Sequence, residues 1–448
     1  MDIIRGVIGM TFIILLAFGF SNNRKAINWR LVGTGLLIQL TLAIFILKGA
    51  AMAEFFSPLG WPKLFFSFVS SFFVVVLEFT TEGAAFIFGD LAKGPGLEGS
   101  LGFFFAFQVL PTIVFFASLT TILYHYGILQ AIVKFMASGM RKIMGTSGAE
   151  SLSVVANIFV GQTEAPLVVK PYIERMTPSE LMAVMTGGMA TIAGGIMAAY
   201  IQMLGDSYAQ SHGISLELGR QLFAEQLLGA SLMAAPAALV IAKILYPETQ
   251  TPETMGEVKV SVEKTDANGI DAASNGAAEG LRLALNVGAM LLAFIALLAL
   301  LNSFLGWFGS VPQSVGTLMG VDIPIFDITI QSILGYIFAP IAFIIGVPWV
   351  DAFNVGSMLG TKIVLTEFIA YIDLSQFVLE QQLQEKTIFM ATFALCGFAN
   401  LASIAIQIGG IGGIAPSRKA ELAKFGVKAV FAGTLANLMT ATLAGVLY

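Results

Sequence analysis

Long apolar runs separated by short polar connections dominate this chain. The runs at 3–20, 31–50, 103–126, 179–204, 222–246, 283–308, 386–409 and 425–447 predict eight spanning helices. Each is near the ~20 residues that an α-helix needs to cross the hydrocarbon core. No ten-residue segments alternate apolar and polar positions as an outer-membrane barrel would, so helices are the expected way to satisfy the backbone in lipid. Residues 54–80 read as an amphipathic or interfacial helix. The run 329–346 also reads as interfacial; as a ninth span it would invert everything after it. Residues 148–175 and 350–375 are broken by Gly, Pro and charge, and they read as re-entrant hairpins. The polar stretch 247–280 reads as a flexible linker between two halves.

Composition agrees with this class. The 448 residues are 57% hydrophobic and 11% charged, with mean hydropathy +0.85, whereas a soluble protein carries about 25% charged residues. The net charge of −5 comes with no basic tract that would bind nucleic acid. A single cysteine, Cys396, excludes an internal disulfide and a cysteine metal cluster. His125 and His212 lack metal-ligand spacing, and no Ser-His-Asp set is present. The run Ile3–Phe20 has no small-residue cleavage site and reads as a retained span rather than a signal peptide.

Positive charge sets the orientation. Arg24, Lys25 and Arg30, then Lys134, Arg141 and Lys142, then Lys170 and Arg175, and finally Arg418, Lys419, Lys424 and Lys428 fall on one side if eight spans follow an external N-terminus. That side is the cytoplasm. The connections near 82–101, 206–218 and 309–327 are poor in Lys and Arg.

The two halves repeat each other. In the first, a basic amphipathic helix precedes the hairpin and the helices 179–204 and 222–246. In the second, 329–346 precedes the hairpin and the helices 386–409 and 425–447. Each hairpin carries a Thr-Glu pair, Thr163-Glu164 and Thr366-Glu367, in a segment apolar enough to enter a bilayer. A carboxylate at that depth costs roughly 2.5–3.5 kcal/mol even on the lenient insertion scale, so it marks function. Counting spans, the first hairpin enters from inside and the second from outside. The result is an inverted repeat, in which substrate binds near the midplane between broken helices.

Around these acids lie groups able to hold a planar polar ligand. Gln162, Thr163 and Glu164 donate and accept hydrogen bonds, while Gly161 and Pro166 disfavour a regular helix at the tip. The string Gly187-Gly188-Met189-Ala190-Thr191-Ile192-Ala193-Gly194-Gly195-Ile196 permits either unwinding or close helix packing. Asn400 and Ser403 share a helix face, with Phe398 nearby. Gly94-Pro95-Gly96-Leu97-Glu98-Gly99 matches G-x-G-x-x-G literally, but no strand precedes it and Pro interrupts it, so a dinucleotide fold is rejected. The run Gly409–Gly413 reads as a hinge or helix end. Lys362, the one base near the proposed pocket, is expected to face solvent or a hairpin neighbour.

At these residues the chain resembles the concentrative nucleoside transporter family, most closely its shorter bacterial branch with eight spans. The matching strings are FAFQVLPTIVFFASLTTILYHYG at 105–127, GQTEAP at 161–166, GGMATIAGGIMAAY at 187–200, GTKIVLTEFIAY at 360–371 and CGFANLASIAIQIGGIG at 396–412. The resemblance implies a homotrimer in the inner (plasma) membrane and cation-coupled nucleoside uptake, with no organic cofactor. It implies a scaffold from 1–126 and 283–308, and a moving transport domain from 127–246 and 309–448, joined by a linker at 247–282. The nucleobase would meet Gln162, Thr163 and Glu164, with Ile196 lining the same pocket. The ribose would fall to Glu367, Asn400 and Ser403, with Phe398 packed nearby. A sodium ion would be held by the Asn157 side chain, the Val160 carbonyl, the Thr191 hydroxyl and the Ile192 carbonyl. Two positions depart from the family pattern: Thr191 stands where Ser is usual, and Thr366 where many members carry Asn.

The expected function is therefore a nucleoside symporter working by elevator-like alternating access, with Na+ as the coupling ion and H+ as the rival. An elevator for a dicarboxylate is disfavoured, because the pocket holds two acids and no Arg or Lys to attract an anion. A membrane hydrolase would need a nucleophile–base pair that neither histidine supplies. A channel would lack saturable, gradient-driven accumulation.

Overall fold

The computed structural model describes residues 2–94, 99–255, 266–318 and 328–448. The centre of the rejected glycine motif, 95–98, lies outside them, as do parts of the expected linker and of the connection 309–327. The described residues are helical, with no strand among them. The helices of nine residues or more are α1 (Asp2–Gly19), α2 (Trp29–Leu47), α3 (Trp61–Phe88), α4 (Leu110–His125), α5 (Ile128–Met144), α6 (Gly148–Ala156), α7 (Pro178–Ala190), α8 (Gly194–His212), α9 (Leu216–Leu245), α10 (Gly269–Leu318), α11 (Ile330–Ile344), α12 (Trp349–Val364), α13 (Glu367–Leu379), α14 (Glu385–Leu395), α15 (Leu401–Ile414) and α16 (Lys419–Leu447).

Polar caps set many of the boundaries. Asn28 accepts from the backbone of Arg30 and Leu31 to start α2. Ser147 with Glu150 and Thr177 with Glu180 form capping boxes that start α6 and α7. Gly127 and Gly145, both at positive φ, turn the chain at the two ends of α5.

Burial divides the helices into a centre and a rim. The apolar window of α9 is 94% buried and that of α16 83%, against 22% for α1 and 22% for α10. The central pair is rich in Ala and Gly, which lets the α7, α14 and α2 backbones approach. The rim helices instead expose large apolar side chains such as Leu292, Leu300, Phe304 and Trp307 on α10.

Both hairpins form and both close at their bases. Arm α6 runs in to a tip at 157–164, and the chain returns through turns at 165–173. At the base, the Ser147 hydroxyl donates to Glu180 Oε1 at 2.5 Å, joining the hairpin to the start of α7. Arm α12 runs in, and α13 returns. There Asp351 Oδ2 accepts from the Gln384 backbone at 3.2 Å and from the Thr387 hydroxyl, joining that hairpin to the start of α14. The two bases lie at opposite ends of the molecule. Lys243, beside Ser179 at the first base, sits two residues before Leu245, whose carbonyl accepts from Asn22 at 2.9 Å. Lys386, at the second base, pairs with Asp2 at 2.8 Å. Asp2 and Asn22 flank the two ends of α1, so the repeat is inverted, as its span count predicts.

The structure corrects several boundaries. The run 386–409 is not one helix: α14 stops at Leu395 and α15 starts at Leu401. Hydropathy is continuous there, but Gly397 runs tight against the Met189 carbonyl and Asn437, and Asn400 caps a new helix. The run 179–204 also breaks, at Thr191–Ala193. The span 283–308 is the middle of a 50-residue helix that starts at Gly269. The linker is accordingly shorter than 247–280, and its first part is docked: the Thr254 carbonyl accepts from Gly148 N at 2.7 Å. Among the described residues, eight helical segments are long and apolar enough to cross a membrane, the expected number. They include Ser57–Ala92 in place of the broken 386–409. The α3 helix in that segment nevertheless begins and ends at one end of the bundle. Lys63 packs on Gly49 beside Lys48, which donates to the Tyr448 carbonyl at 3.2 Å. The segment after α3 meets Gln108 and comes near Asp206, two residues before Tyr208, whose hydroxyl bonds Glu385 at 2.9 Å. That course is the one expected of an interfacial helix at 54–80. At 15 residues, α11 is too short to cross, in keeping with the interfacial reading of 329–346.

Candidate functional site

The first turn of α15 joins the two hairpins. Asn400 is its N-cap, with Oδ1 accepting from Ser403 N at 2.8 Å. That leaves Nδ2 to donate to Glu367 Oε2, also at 2.8 Å. Glu367 opens α13, where the aligned peptide dipoles favour a carboxylate. Its second oxygen accepts from the Tyr200 hydroxyl at 2.9 Å. The Tyr200 ring stacks on Tyr371 with centroids 4.2 Å apart and meets Phe368 edge-on. Glu367 is 5% exposed, and no Lys, Arg or His lies within ion-pair distance among the described residues.

Ser403 faces the other hairpin. Gln162 Nε2 donates to the Ser403 hydroxyl at 3.0 Å, and Gln162 Oε1 accepts from Gln407 Nε2 at 3.0 Å. Ser403 and Gln407 are one turn apart on α15, so a single amide is gripped at both ends. Gln407 Nε2 also donates to the Met185 carbonyl at 3.0 Å. Gly188 makes this approach possible: a Cβ there would lie 2.8 Å from Gln407 Nε2 and 2.9 Å from Gln162 Cβ.

Of the expected substrate residues, the structure gathers Gln162, Glu367, Asn400 and Ser403 into one buried cluster. Thr163 is half-buried and packs on Gly410. Ile196 is buried in the first turn of α8, and Phe398 is half-buried with its N–H directed at the Thr191 carbonyl, 3.4 Å away. Glu164 is set apart. It accepts from Gly161 N at 3.2 Å and opens into a cavity of about 720 Å³ between hairpin one and the helices α4, α5 and α10. Thr121, Gln130, Lys170 and Glu279 line the same cavity, whereas Glu367, Asn400 and Ser403 do not. Its volume falls in the range of small-molecule sites.

The two segments that carry the expected sodium ligands Asn157, Val160, Thr191 and Ile192 meet at one point. The tip of hairpin one is tied to the break between α7 and α8 by Gly194 N donating to the Phe159 carbonyl at 3.2 Å. Asn157 Nδ2 donates to the Ser153 carbonyl at 3.0 Å, while its Oδ1 is buried without a hydrogen-bond partner. Thr191 donates its hydroxyl proton to the Gly187 carbonyl at 2.9 Å, leaving its lone pairs free. A buried, unsatisfied amide oxygen in a hairpin tip that meets a broken helix is a hard, neutral donor of the kind that suits Na+. Among the described residues no group of three or more His, Cys, Asp or Glu could hold a metal ion.

Two functional candidates escape sequence reasoning, and a third, Lys362, lies elsewhere than expected. Tyr200 and Gln407 lie inside apolar strings, and only the fold turns them toward Glu367 and Gln162. Lys362 does not face solvent: it is fully buried and donates to the Ala394 carbonyl at 3.0 Å and to Asn437 Oδ1 at 2.7 Å.

Comparison with known proteins matches residues 8–91 to the model of the Na+ dependent nucleoside transporter N-terminus, 106–207 to a nucleoside recognition (gate) domain, and 226–445 to the Na+ dependent nucleoside transporter C-terminus. The nucleoside permease NupC of Helicobacter pylori is 41% identical over 443 residues, covering 98% of this chain and 96% of its own length. The sodium/nucleoside cotransporter 2 of Rattus norvegicus is 37% identical, covering 98% of this chain and 62% of that longer protein. The structure of CNTnw in an inward-facing substrate-bound state superposes with a TM-score of 0.84 at 41% identity, over 100% of this chain and 98% of the other.

Proposed function

The chain belongs to the concentrative nucleoside transporter family, a family of carriers and not enzymes, and from that premise we propose that it imports nucleosides coupled to Na+ by an elevator movement. The observation that carries this reading is the first turn of α15, which presents a carboxylate and two amides from different elements at one point. A ribose offers vicinal hydroxyls, and a carboxylate can accept from both. A nucleobase edge offers alternating donors and acceptors, which the Gln162 amide matches. Glu367, Asn400, Ser403 and Phe398 would therefore take the sugar, and Gln162, Thr163, Glu164 and Ile196 the base. Asn157, Val160, Thr191 and Ile192 would hold the ion. The unsatisfied Asn157 oxygen supports that assignment, because a buried acceptor without a partner is costly unless something else occupies it. The two hairpins with α7, α8, α14 and α15 would move as the carrier against α1, α2, α4 and α10. We extend the reading to a homotrimer in the inner membrane, which the exposed apolar face of α10 supports.

One observation favours proton coupling instead: Glu164 is exposed to the cavity, where a proton can reach it. Labelled-uridine uptake into proteoliposomes under an inward Na+ gradient, an inward proton gradient, or neither separates the two. Concentrative uptake with Na+ alone is the expected result. Uptake with protons alone would keep the substrate and remove the ion site. If uridine fails, adenosine and the other nucleosides are run before the solute class is abandoned.

A further inference from the structure

Lys362 is a buried cation that transport, as described so far, does not use. It is 0% exposed, and among the described residues no carboxylate lies within ion-pair distance of it. An unpaired buried charge is expensive unless fixed dipoles replace its water. Its position supplies them. Lys362 sits in the last turn of α12, and its ammonium donates to the carbonyl of Ala394 in the last turn of α14. Both helices therefore direct the negative ends of their dipoles at it. The third partner is Asn437 on α16, whose Oδ1 accepts from Lys362 at 2.7 Å. Asn437 Nδ2 donates to the carbonyls of Ala190 and Cys396, at 2.7 and 2.6 Å, so its oxygen is held toward the ammonium.

The inverted repeat gives this arrangement its meaning. In repeat one, the end of the inward arm α6 and the end of the half-helix α7 bracket Asn157 and Thr191. Among the described residues no basic side chain hydrogen-bonds to the side chain of either, and the Asn157 amide oxygen is left unsatisfied. In repeat two, the corresponding ends of α12 and α14 bracket Lys362. We propose that the Lys362 ammonium is a tethered cation, occupying in repeat two the position that a mobile cation takes in repeat one. It makes Lys362 a positioning residue. It neutralises the two helix ends in every state of the cycle and holds, through Asn437, the crossing of the two broken helices beside Glu367. This rests on the carrier reading above, and the test is chosen to fail separately from it.

The test uses the full chain in detergent, with Lys362→Ala and Lys362→Gln. Alanine removes the equivalent of propylammonium, so that ion is the probe. The expected result is a lowered melting temperature and about tenfold or more weaker uridine binding for Lys362→Ala, both restored by propylammonium and not by 1-propanol. Lys362→Gln, which reaches toward the same carbonyl without charge, is expected to show a steeper Na+ dependence of uridine binding than the wild type. Equal rescue by propanol would reduce the site to packing and overturn the proposal. Unchanged binding with an unchanged Na+ slope would overturn it, as would a folding failure in the alanine variant that neither Na+ nor the amine reverses. If the wild type binds no nucleoside, the carrier reading fails, while rescue of the melting temperature by propylammonium still reports on Lys362.

Discussion

Glu367 takes its two hydrogen bonds from helices that the sequence separates widely, Tyr200 on α8 and Asn400 at the start of α15. The chemistry at this point is therefore a property of single groups rather than of a motif. Replacing Glu367 with Gln keeps the size, removes the charge, and puts an amide donor against partners that already donate. Uridine uptake is expected to fall about 100-fold, the worth of a desolvated charged acceptor. The preference for uridine over 2′-deoxyuridine should shrink with it, and initial rates for both substrates measure this. An unchanged preference would remove the ribose from Glu367. The ion site offers a narrower change. Thr191→Val keeps the shape and deletes the oxygen, so the Na+ concentration for half-maximal uptake should rise about tenfold with little loss of maximal rate. Thr191→Ser, which keeps the oxygen, should behave as the wild type in the same Na+ titration.

Gly188 in α7 brings the problem to the scale of elements, because it decides how closely the hairpin tip can approach two broken helices. A methyl group there would press on Gln407 Nε2 and Gln162 Cβ at 2.8 and 2.9 Å. Gly188→Ala should lower stability by about 1–3 kcal/mol, the usual cost of overpacking. It should also raise KM for uridine, since it pushes Gln162 off Ser403. Melting curves and uptake kinetics on one preparation test both. The same elements mark how far the sequence could be read. Hydropathy and positive charge disclose the spans, the hairpins and the inverted repeat, because each follows from what lipid excludes. The break between Leu395 and Leu401 is invisible to hydropathy, since Cys396, Phe398 and Ala399 are as apolar as a helix requires. The start of α10 at Gly269 is hidden for the converse reason: a polar, Ala-rich segment reads as linker until α4 packs on it at Gly276 and Gly280. The Thr-Glu pairs point to the site, yet only Glu367 joins the buried cluster. Glu164 faces the cavity, and its direction depends on a tip that has no helical period to read.

For the whole molecule, the question is whether the hairpins and broken helices move as one body against the rim. Their contact with the rim includes α8 against α4, where Gly195 sits beside Ile113 and Phe116. A Cβ at Gly195 would lie 3.6 Å from Phe116 Cβ, within the 3.5–4.5 Å range of a disulfide. The single native cysteine, Cys396, is buried and leaves the pair free to react with each other. Phe116→Cys with Gly195→Cys should therefore form a bridge under mild oxidation. If the carrier slides past α4 in each cycle, the bridge abolishes concentrative uptake while uridine binding in detergent persists, and a reductant restores uptake. The separation of binding from transport is the decisive readout, because a bridge that merely distorted the site would remove both. Uptake that continues in fully bridged protein would mean that α8 and α4 travel together. The moving boundary would then lie elsewhere, between α9 and α2 or between α16 and α1, and the division of the chain into carrier and scaffold would have to be redrawn along it.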